Sequence, residues 1–197
     1  TTAADAIQLN GISLGHLPPN KRRALGVLAA PEERLGHAAA PDMSLTENAI
    51  LTAMTRQSLS KFGFLDWPGA EAFAEQVINK FDVRTPGPKS AARSLSGGNL
   101  QKFVIGREVL QDPSVLIVNQ PTWGVDAAAA ADVRQALLDL ASKGAAVIVI
   151  SQDLDELIEI STSFTALNAG YLSAVRPMAG LSLDQIGLLL GGSDATA

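Results

Sequence analysis

The sequence predicts an α/β fold in which a mostly parallel sheet carries an inserted helical subdomain. Two runs of consecutive apolar residues, at positions 115–118 and 147–150, have the length and composition of buried strands. Each run is followed by residues at helical spacing, and strands that alternate with helices are typical of a parallel sheet covered on both faces. A chain of 197 residues is long enough for one such domain with a subdomain.

The α/β core is predicted to comprise residues 1–43 and 113–197. Turn residues and helix caps divide it into shorter elements besides the two long strands. In chain order these are a strand at 6–9 with the turn Asn10-Gly11, a basic helix opened by Pro18-Pro19, a strand at 27–29 that stops at Pro31, helices near 133–140 and 154–158, two strands at 164–167 and 171–175, and a final helix from the cap Ser182 to Leu190.

The helical subdomain is predicted to comprise residues 44–112. Ser44 and Glu47 have the spacing of a capping box, which starts a helix. The predicted elements are helices over 44–56 and 70–81 with Phe62-Gly63-Phe64 between them, a linker at 85–93 rich in Pro, Gly, Ser and basic residues, and a helix that ends near Leu110.

Composition excludes several classes of function. The net charge of −5 does not favour a nucleic-acid partner, and aromatic residues at 5% provide little surface for stacking bases. Two histidines and no cysteine disfavour a zinc site, and the lack of cysteine fits a cytosolic protein. No apolar run is long enough to span a membrane.

Residues 95–101 read Leu-Ser-Gly-Gly-Asn-Leu-Gln and open a helix. Glycines let a backbone approach a ligand closely, and a helix N-terminus offers unpaired N–H donors and a positive dipole end, which together suit a phosphate. The alternative is an ordinary Ser-Gly-Gly helix cap. The predicted nucleotide-binding residues are Leu95, Ser96, Gly97, Gly98, Asn99 and Gln101.

This run resembles the signature motif of ATP-binding cassette (ABC) proteins, in which the loop contacts the γ-phosphate of ATP held by the opposite domain. Residues 115–122 resemble the Walker B strand and its following turn. The family has Asp and Glu there, for magnesium and for the attacking water, where this chain has Asn119 and Gln120. Neutral amides weaken both roles, so Asn119 is only a weak magnesium position. The alternative is a buried strand with a polar end.

Two further segments resemble loops of the same family. Residues 123–126 resemble the D-loop, in which Gly124 and Asp126 are expected at the interface between cassettes, and Asp126 also suits the N-cap of the next helix. Residues 27–34 resemble the Q-loop segment, with Glu32 at the glutamine position. The alternative for residues 27–34 is a charged loop after an edge strand.

Residues 151–157 resemble the turn that carries the switch histidine, which Gln152 replaces here. Glutamine can donate a hydrogen bond but carries no charge. The carboxylates of Asp153, Asp155 and Glu156 suit the first turn of a helix, and a solvated acidic face explains them better than a paired-acid active site.

No Gly-x-x-x-x-Gly-Lys-Ser/Thr motif occurs in the chain. The run at 87–90 ends in Lys-Ser, but a proline precedes the lysine and no strand comes before it. We therefore expect an incomplete core that starts after the P-loop, as a fragment of a longer protein. Such a fragment should be inactive alone, and it should expose apolar surface.

The resemblance is closest to the second cassette of tandem ABC ATPases that drive the import of simple sugars or nucleosides. Residues 120–122, Gln-Pro-Thr, and the final helix at 183–190 carry this part of the resemblance. It implies ATP and Mg²⁺ as cofactors, a first cassette as head-to-tail partner, permease subunits, an indirect solute-binding partner, and a peripheral place on the cytoplasmic face of the bacterial inner membrane. It also implies one competent ATP site, completed by this signature loop, and one degenerate site.

Other functions stay open at this point. A non-catalytic regulatory or docking cassette is the main alternative, because both Walker B acids are replaced. A DNA-repair cassette would need long coiled coils, and the sequence has no heptad run. A translation-associated cassette would need basic surfaces, which the net charge disfavours.

Overall fold

The computed structural model describes residues 3–192 and comprises two compact units, Thr1–Ile150 and Ser151–Ala197. The helices and strands of the first unit are, in chain order, β1 (Gln8–Leu9), β2 (Ile12–Ser13), α1 (Pro19–Ala24), β3 (Val27–Ala30), α2 (Leu45–Ala53), β4 (Ser60–Lys61), β5 (Phe64–Leu65), α3 (Trp67–Lys80), α4 (Gly97–Val109), β6 (Val115–Asn119), α5 (Ala127–Ser142) and β7 (Ala146–Ile150). A 3₁₀ turn, Ala92–Ser94, precedes α4.

The sheet at the centre of the first unit is parallel, as predicted, with the strand order β3–β6–β7. The register aligns Leu28 with Leu116, and both side chains are buried. Helices α4 and α5 pack against the strands of this sheet. The three strands therefore run in one direction and end at one edge.

The other face of the sheet corrects one prediction. The continuous apolar strands predict cover on both faces, but Ile148 and Ile150 of β7 are 50% and 51% exposed. Ala29, which shares a face with Ile148 through the register, is exposed as well. Among the described residues, helices thus bury one face of the sheet and leave apolar side chains on the other.

Helix α4 is held in place by a buried ionic network. Nε of Arg107 donates to Glu108 at 3.0 Å, and Arg23 of α1 pairs with the second oxygen of that carboxylate. Arg107 also donates to the carbonyls of Asn48 at 3.0 Å and Ala38 at 2.8 Å. Burial lowers the pKa of Arg107, and the charge of Glu108 opposes that shift. The network ties α4 to α1, to α2 and to the segment after β3.

Caps explain where most helices begin. The predicted capping box of Ser44 and Glu47 is present and starts α2. Helix α3 starts at Trp67, earlier than predicted, because the Asp66 carboxylate accepts from the backbone N–H of Gly69. The Phe62 region forms a small antiparallel hairpin, β4–β5, ahead of that helix.

The elements of the second unit are α6 (Leu154–Ile160), β8 (Ser163–Phe164), β9 (Leu167–Asn168), β10 (Tyr171–Leu172), β11 (Arg176–Pro177) and α7 (Leu183–Leu190). The two strands predicted at 164–167 and 171–175 are four short ones, because β8 pairs with β11 and β9 with β10. Its core contains Phe164, Ala166, Ile186 and Leu189. The predicted Ser182 cap of α7 is confirmed as a capping box. Across residues 3–192, no helix combines the length and apolarity needed to cross a bilayer.

Candidate functional site

The predicted site segments of the first unit meet at the carboxyl edge of the sheet. In the register Ala30 of β3 aligns with Val118 of β6, so the segments after both strands leave the sheet side by side. The exposed Glu32 lies on the first of these segments, and Asn119 ends β6. The edge that carries loops is where parallel sheets bind ligands.

Ser96 begins α4 as its N-cap. Its Oγ accepts hydrogen bonds from the backbone N–H of Asn99 at 3.5 Å and from Nδ2 of Asn99 at 2.8 Å. Oδ1 of Asn99 in turn accepts from the backbone N–H of Arg84 at 2.8 Å. Because both bonds to Ser96 use lone pairs of the oxygen, the hydroxyl proton remains to donate.

The first turn of α4 exposes groups that are able to bind an anion. Ser96 and Gly97 are exposed, and Leu95, Gly98 and Asn99 are half-buried. Helix geometry leaves the first N–H groups without partners inside the helix, and the helix dipole places partial positive charge there. An exposed hydroxyl and exposed backbone donors at a helix N-terminus suit a phosphate oxygen.

Gln101 lies away from this exposed surface. Its side chain is 1% exposed and donates through Nε2 to the carbonyls of Pro121 at 2.9 Å and Gln120 at 3.3 Å. Its Oε1 accepts from Nε of Arg34 at 2.9 Å. Gln101 is predicted as a nucleotide-binding residue, but both ends of its amide are occupied by hydrogen bonds within the chain. It therefore connects α4 to the turn after β6 and to Arg34.

Arg34 is the site residue that sequence reasoning missed. Its guanidinium donates to Gln101 and to the carbonyl of Trp123. Together with Glu32, Glu33 and Trp123 it lines an open cavity of about 470 Å³. Burial lowers its pKa, yet a guanidinium keeps its charge at neutral pH. The signal in the sequence was an arginine directly after two glutamates in a charged loop.

The turn after β6 differs from the start of α4. Asn119 is half-buried, and Gln120 is 8% exposed with a φ of 51°, which is uncommon outside glycine. Among the described residues, no group of three or more His, Cys, Asp or Glu side chains could hold a metal ion. Neutral amides are poor ligands for Mg²⁺, which prefers carboxylates and phosphates, so Asn119 and Gln120 do not fit that ion.

The predicted D-loop residues lie next to α4. Gly124 has a φ of 68°, and its carbonyl oxygen lies 3.5 Å from where a Cβ on Gly98 would be. Asp126 caps α5 as predicted, by accepting from the N–H of Ala129 at 3.0 Å. That hydrogen bond lowers the pKa of Asp126. The start of α4 and the turn before α5 are thus in close backbone contact.

Gln152 belongs to the second unit and is exposed just before α6. Asp153 caps that helix by accepting from the N–H of Glu156 at 3.1 Å. Glu156 itself is 3% exposed, whereas Asp153 and Asp155 are exposed. The predicted solvated acidic face therefore holds for two of the three carboxylates and is wrong for Glu156.

Comparisons with known proteins give relatives of one kind. No protein-family model matches the chain. A glucose import ATP-binding protein of Haloferax volcanii is 34% identical over an alignment of 200 positions, which covers 100% of this chain and 36% of that protein. A nucleoside import ATP-binding protein of Lactococcus lactis is 32% identical, over 96% of this chain and 37% of its own length. A guanosine import ATP-binding protein of Bacillus subtilis is 34% identical, over 98% of this chain and 38% of its own length.

The chain thus spans little more than a third of the length of these relatives. Among solved structures, a dimeric ATP-binding cassette bound to ADP and phosphate has a TM-score of 0.69 at 17% identity, over 87% of this chain and 72% of that one. An ATP-binding subunit of an ABC transporter has a TM-score of 0.68 at 23% identity, over 96% and 71%. This chain therefore has the fold of ABC cassette ATPases, and over nearly its whole length it is similar to the ATP-binding proteins of sugar and nucleoside importers.

Proposed function

We propose that this chain is one cassette of an importer ATPase that energises the uptake of a sugar or a nucleoside. In this proposal its α4 N-terminus completes an ATP site on a partner cassette. The relatives named as glucose, nucleoside and guanosine import ATP-binding proteins support the solute classes. The dimeric cassette among the similar folds supports pairing.

The arrangement at the start of α4 carries the proposal. The Ser96 hydroxyl keeps its proton to donate, and Gly97 and Gly98 leave the approach to the helix N-terminus open. These groups would bind the γ-phosphate of ATP held by the partner, orient it and help to exclude water. They supply electrostatic stabilisation of a phosphate without taking part in proton transfer.

The chain's own nucleotide site is degenerate in this proposal. Asn119 and Gln120 stand at the end of β6, where a hydrolytic cassette needs a metal ligand and a group that orients water. An amide cannot act as a general base at neutral pH, and it adds no charge to hold Mg²⁺. Gln152 likewise lacks the charge that a histidine could supply. Hydrolysis at this site should therefore be poor, and the 197 residues alone should be inactive.

The remaining assignments follow from the same proposal. Residues 44–112 form the helical signature subdomain, and residues 1–43 and 113–197 form the ATPase core. The partners are a first cassette in head-to-tail arrangement, transmembrane permease subunits and, indirectly, an extracytoplasmic solute-binding protein. The place of action is the cytoplasmic face of the bacterial inner membrane, with ATP and Mg²⁺ bound mainly by the partner cassette.

A non-catalytic regulatory or docking cassette is the second candidate. The neutral amides of Asn119 and Gln120 favour it, because they remove the usual hydrolytic groups. The exposed donors at the start of α4 argue against a purely structural role.

Substitutions at Ser96 and at Gln120, which belong to different ATP sites in this proposal, separate the two candidates. In the complete importer, Ser96→Arg should abolish transport-coupled ATP hydrolysis, because the long cation fills the phosphate position. Gln120→Ala should change hydrolysis by less than about twofold, since its amide does no catalytic work. The measurement is steady-state ATPase activity in proteoliposomes. Full activity of the Ser96→Arg protein would favour the docking candidate, and a collapse after Gln120→Ala would contradict the degenerate site.

A further inference from the structure

We propose that Arg34 is a positioning residue that fixes the start of α4 against the turn between β6 and α5. The inference rests on the proposed function, because it concerns how the phosphate-binding end of α4 is held at its working distance. Arg34 lies in a third segment, the loop after β3, whereas the start of α4 and the turn before α5 contact each other directly.

The guanidinium of Arg34 joins these two segments. Nε donates to Oε1 of Gln101, on the second turn of α4, at 2.9 Å. Nη2 donates to the carbonyl of Trp123, in the turn that precedes α5. The planar guanidinium holds its N–H groups in a fixed geometry, so the two acceptors are held at a set separation.

Gln101 extends the connection to the end of β6. Its Nε2 donates to the carbonyl of Pro121 at 2.9 Å and to that of Gln120 at 3.3 Å. With Oε1 accepting from Arg34, both ends of the amide are in use and its orientation is fixed. The chain of bonds therefore runs from the loop after β3, through α4, to the Gln120 turn.

Two glycines leave the space that the guanidinium occupies. A Cβ at position 97 would lie 2.9 Å from Nη1 of Arg34, and a Cβ at position 124 would lie 3.3 Å from Nη2. Both distances are shorter than ordinary carbon–nitrogen contacts. The cation thus lies between the backbones of the two segments, and a larger residue at either glycine would displace it.

The role of Arg34 is to set the distance between the donors at the start of α4 and the phosphate that they bind. Donors at a helix N-terminus stabilise a phosphate only when they reach it within hydrogen-bond range, and a misplacement of about 1 Å can lower a rate by about 100-fold. In the proposed function, the partner cassette provides most of the affinity for ATP. Loss of Arg34 should therefore lower kcat and leave KM for ATP nearly unchanged.

The test uses the complete importer with Arg34→Gln, Arg34→Lys and Gln101→Leu, and with Lys89→Gln as control. Lys89 is an exposed cation paired with Glu71 at 3.3 Å, and neither residue takes part in the hydrogen bonds of Arg34 and Gln101 described above. We expect Arg34→Gln to lower kcat about tenfold, with KM for ATP within about twofold and an unchanged melting temperature. Arg34→Lys should recover only part of kcat, because an ammonium does not reproduce the fork. Lys89→Gln should match the unmodified protein.

A double-mutant cycle measures the coupling between Arg34 and Gln101, which a general loss of stability would not produce. If Arg34 acts through Gln101, the double variant should lose much less activity than the product of the two single losses. The inference would be overturned if the two single losses multiplied in the double variant, or if kcat were unchanged. It would also be overturned if KM rose in place of the loss in kcat, or if kcat fell only in proportion to the folded fraction. Ser96→Arg in the same preparation tells the two failures apart. If it abolishes hydrolysis while Arg34→Gln has no effect, the proposed function stands and the role of Arg34 does not.

Discussion

The start of α4 and the turn after β6 lie side by side, yet they are prepared for different work. At the start of α4 the hydroxyl of Ser96 has both lone pairs occupied and a proton to donate, on an exposed helix end. At the turn after β6 Gln120 is buried, and its backbone carbonyl accepts from Nε2 of Gln101. Polar residues on neighbouring loops thus have different roles. The exposure of each residue, and whether it keeps a hydrogen-bond donor for a ligand, distinguish the two regions.

The difference extends to what supports each region. Helix α4 rests on the buried network of Arg107, Glu108 and Arg23, and on the close packing of Gly106 against Phe81. The turn after β6 is held by α4, because Nε2 of Gln101 donates to the backbone carbonyls of Gln120 and Pro121. The turn after β6 therefore depends on α4 for its support, whereas α4 has packing and ionic contacts of its own.

The largest expected effect comes from breaking the packing under α4. A Cβ on Gly106 would lie 2.5 Å from the ring of Phe81, the C-cap of α3, so Gly106→Ala must displace that ring or the helix. Overpacking of this kind costs about 1–3 kcal/mol of unfolding free energy. Urea unfolding followed by tryptophan fluorescence measures the loss, because Trp67 and Trp123 both belong to the first unit.

Gly187→Ala is the matched control for that substitution. Gly187 is also inside a helix, but a Cβ there would meet nothing within 4 Å. Alanine should stabilise α7 by roughly 0.5–1 kcal/mol, because glycine is a poor helix residue. Thermal unfolding followed by circular dichroism measures this change. Equal effects of the two alanines would mean that α4 is not closely packed on α3.

A smaller effect separates the cap of α4 from its phosphate contact. Ser96 and Ser182 are both N-caps that accept from the N–H three residues on, at 3.5 and 3.2 Å. Each Ser→Ala change should cost about 1 kcal/mol of helix stability. Only Ser96→Ala should also lower ATP hydrolysis, by about tenfold or more, because a hydrogen bond to a charged group contributes about 1.5–3 kcal/mol. Equal hydrolysis by the two variants would reduce Ser96 to a cap.

Local signals made much of this fold predictable from the sequence. Caps act within three residues, so Ser44, Ser96, Asp126 and Ser182 marked helix starts that the structure confirms. Continuous apolar runs identified β6 and β7 and their parallel pairing. Asp66 was missed as a cap, although the proline two residues later was a usable signal for the start of α3.

The rest depended on contacts between distant parts of the chain. Arg34 and Gln101 are 67 residues apart, and nothing local to either residue indicates that they meet. Their contact requires the close approach that Gly97 and Gly124 permit. The burial of Gln101 and Glu156 was unpredictable for the same reason, because a polar side chain on a helix is normally solvated. The sequence predicted that an incomplete core would expose apolar surface, but it did not locate that surface at Ile148, because an apolar strand is expected to be covered on both sides.

The central claim is that one of two cassette sites hydrolyses ATP and that this chain completes that site. Vanadate takes the place of the cleaved phosphate and traps ADP only where hydrolysis occurs, so the number of ADP molecules trapped per importer ATPase measures the number of competent sites. The account predicts one trapped ADP, bound to the partner cassette, and none in the Ser96→Arg protein. Two trapped ADP molecules, or one bound to this chain's own Asn119 and Gln120 site, would contradict it.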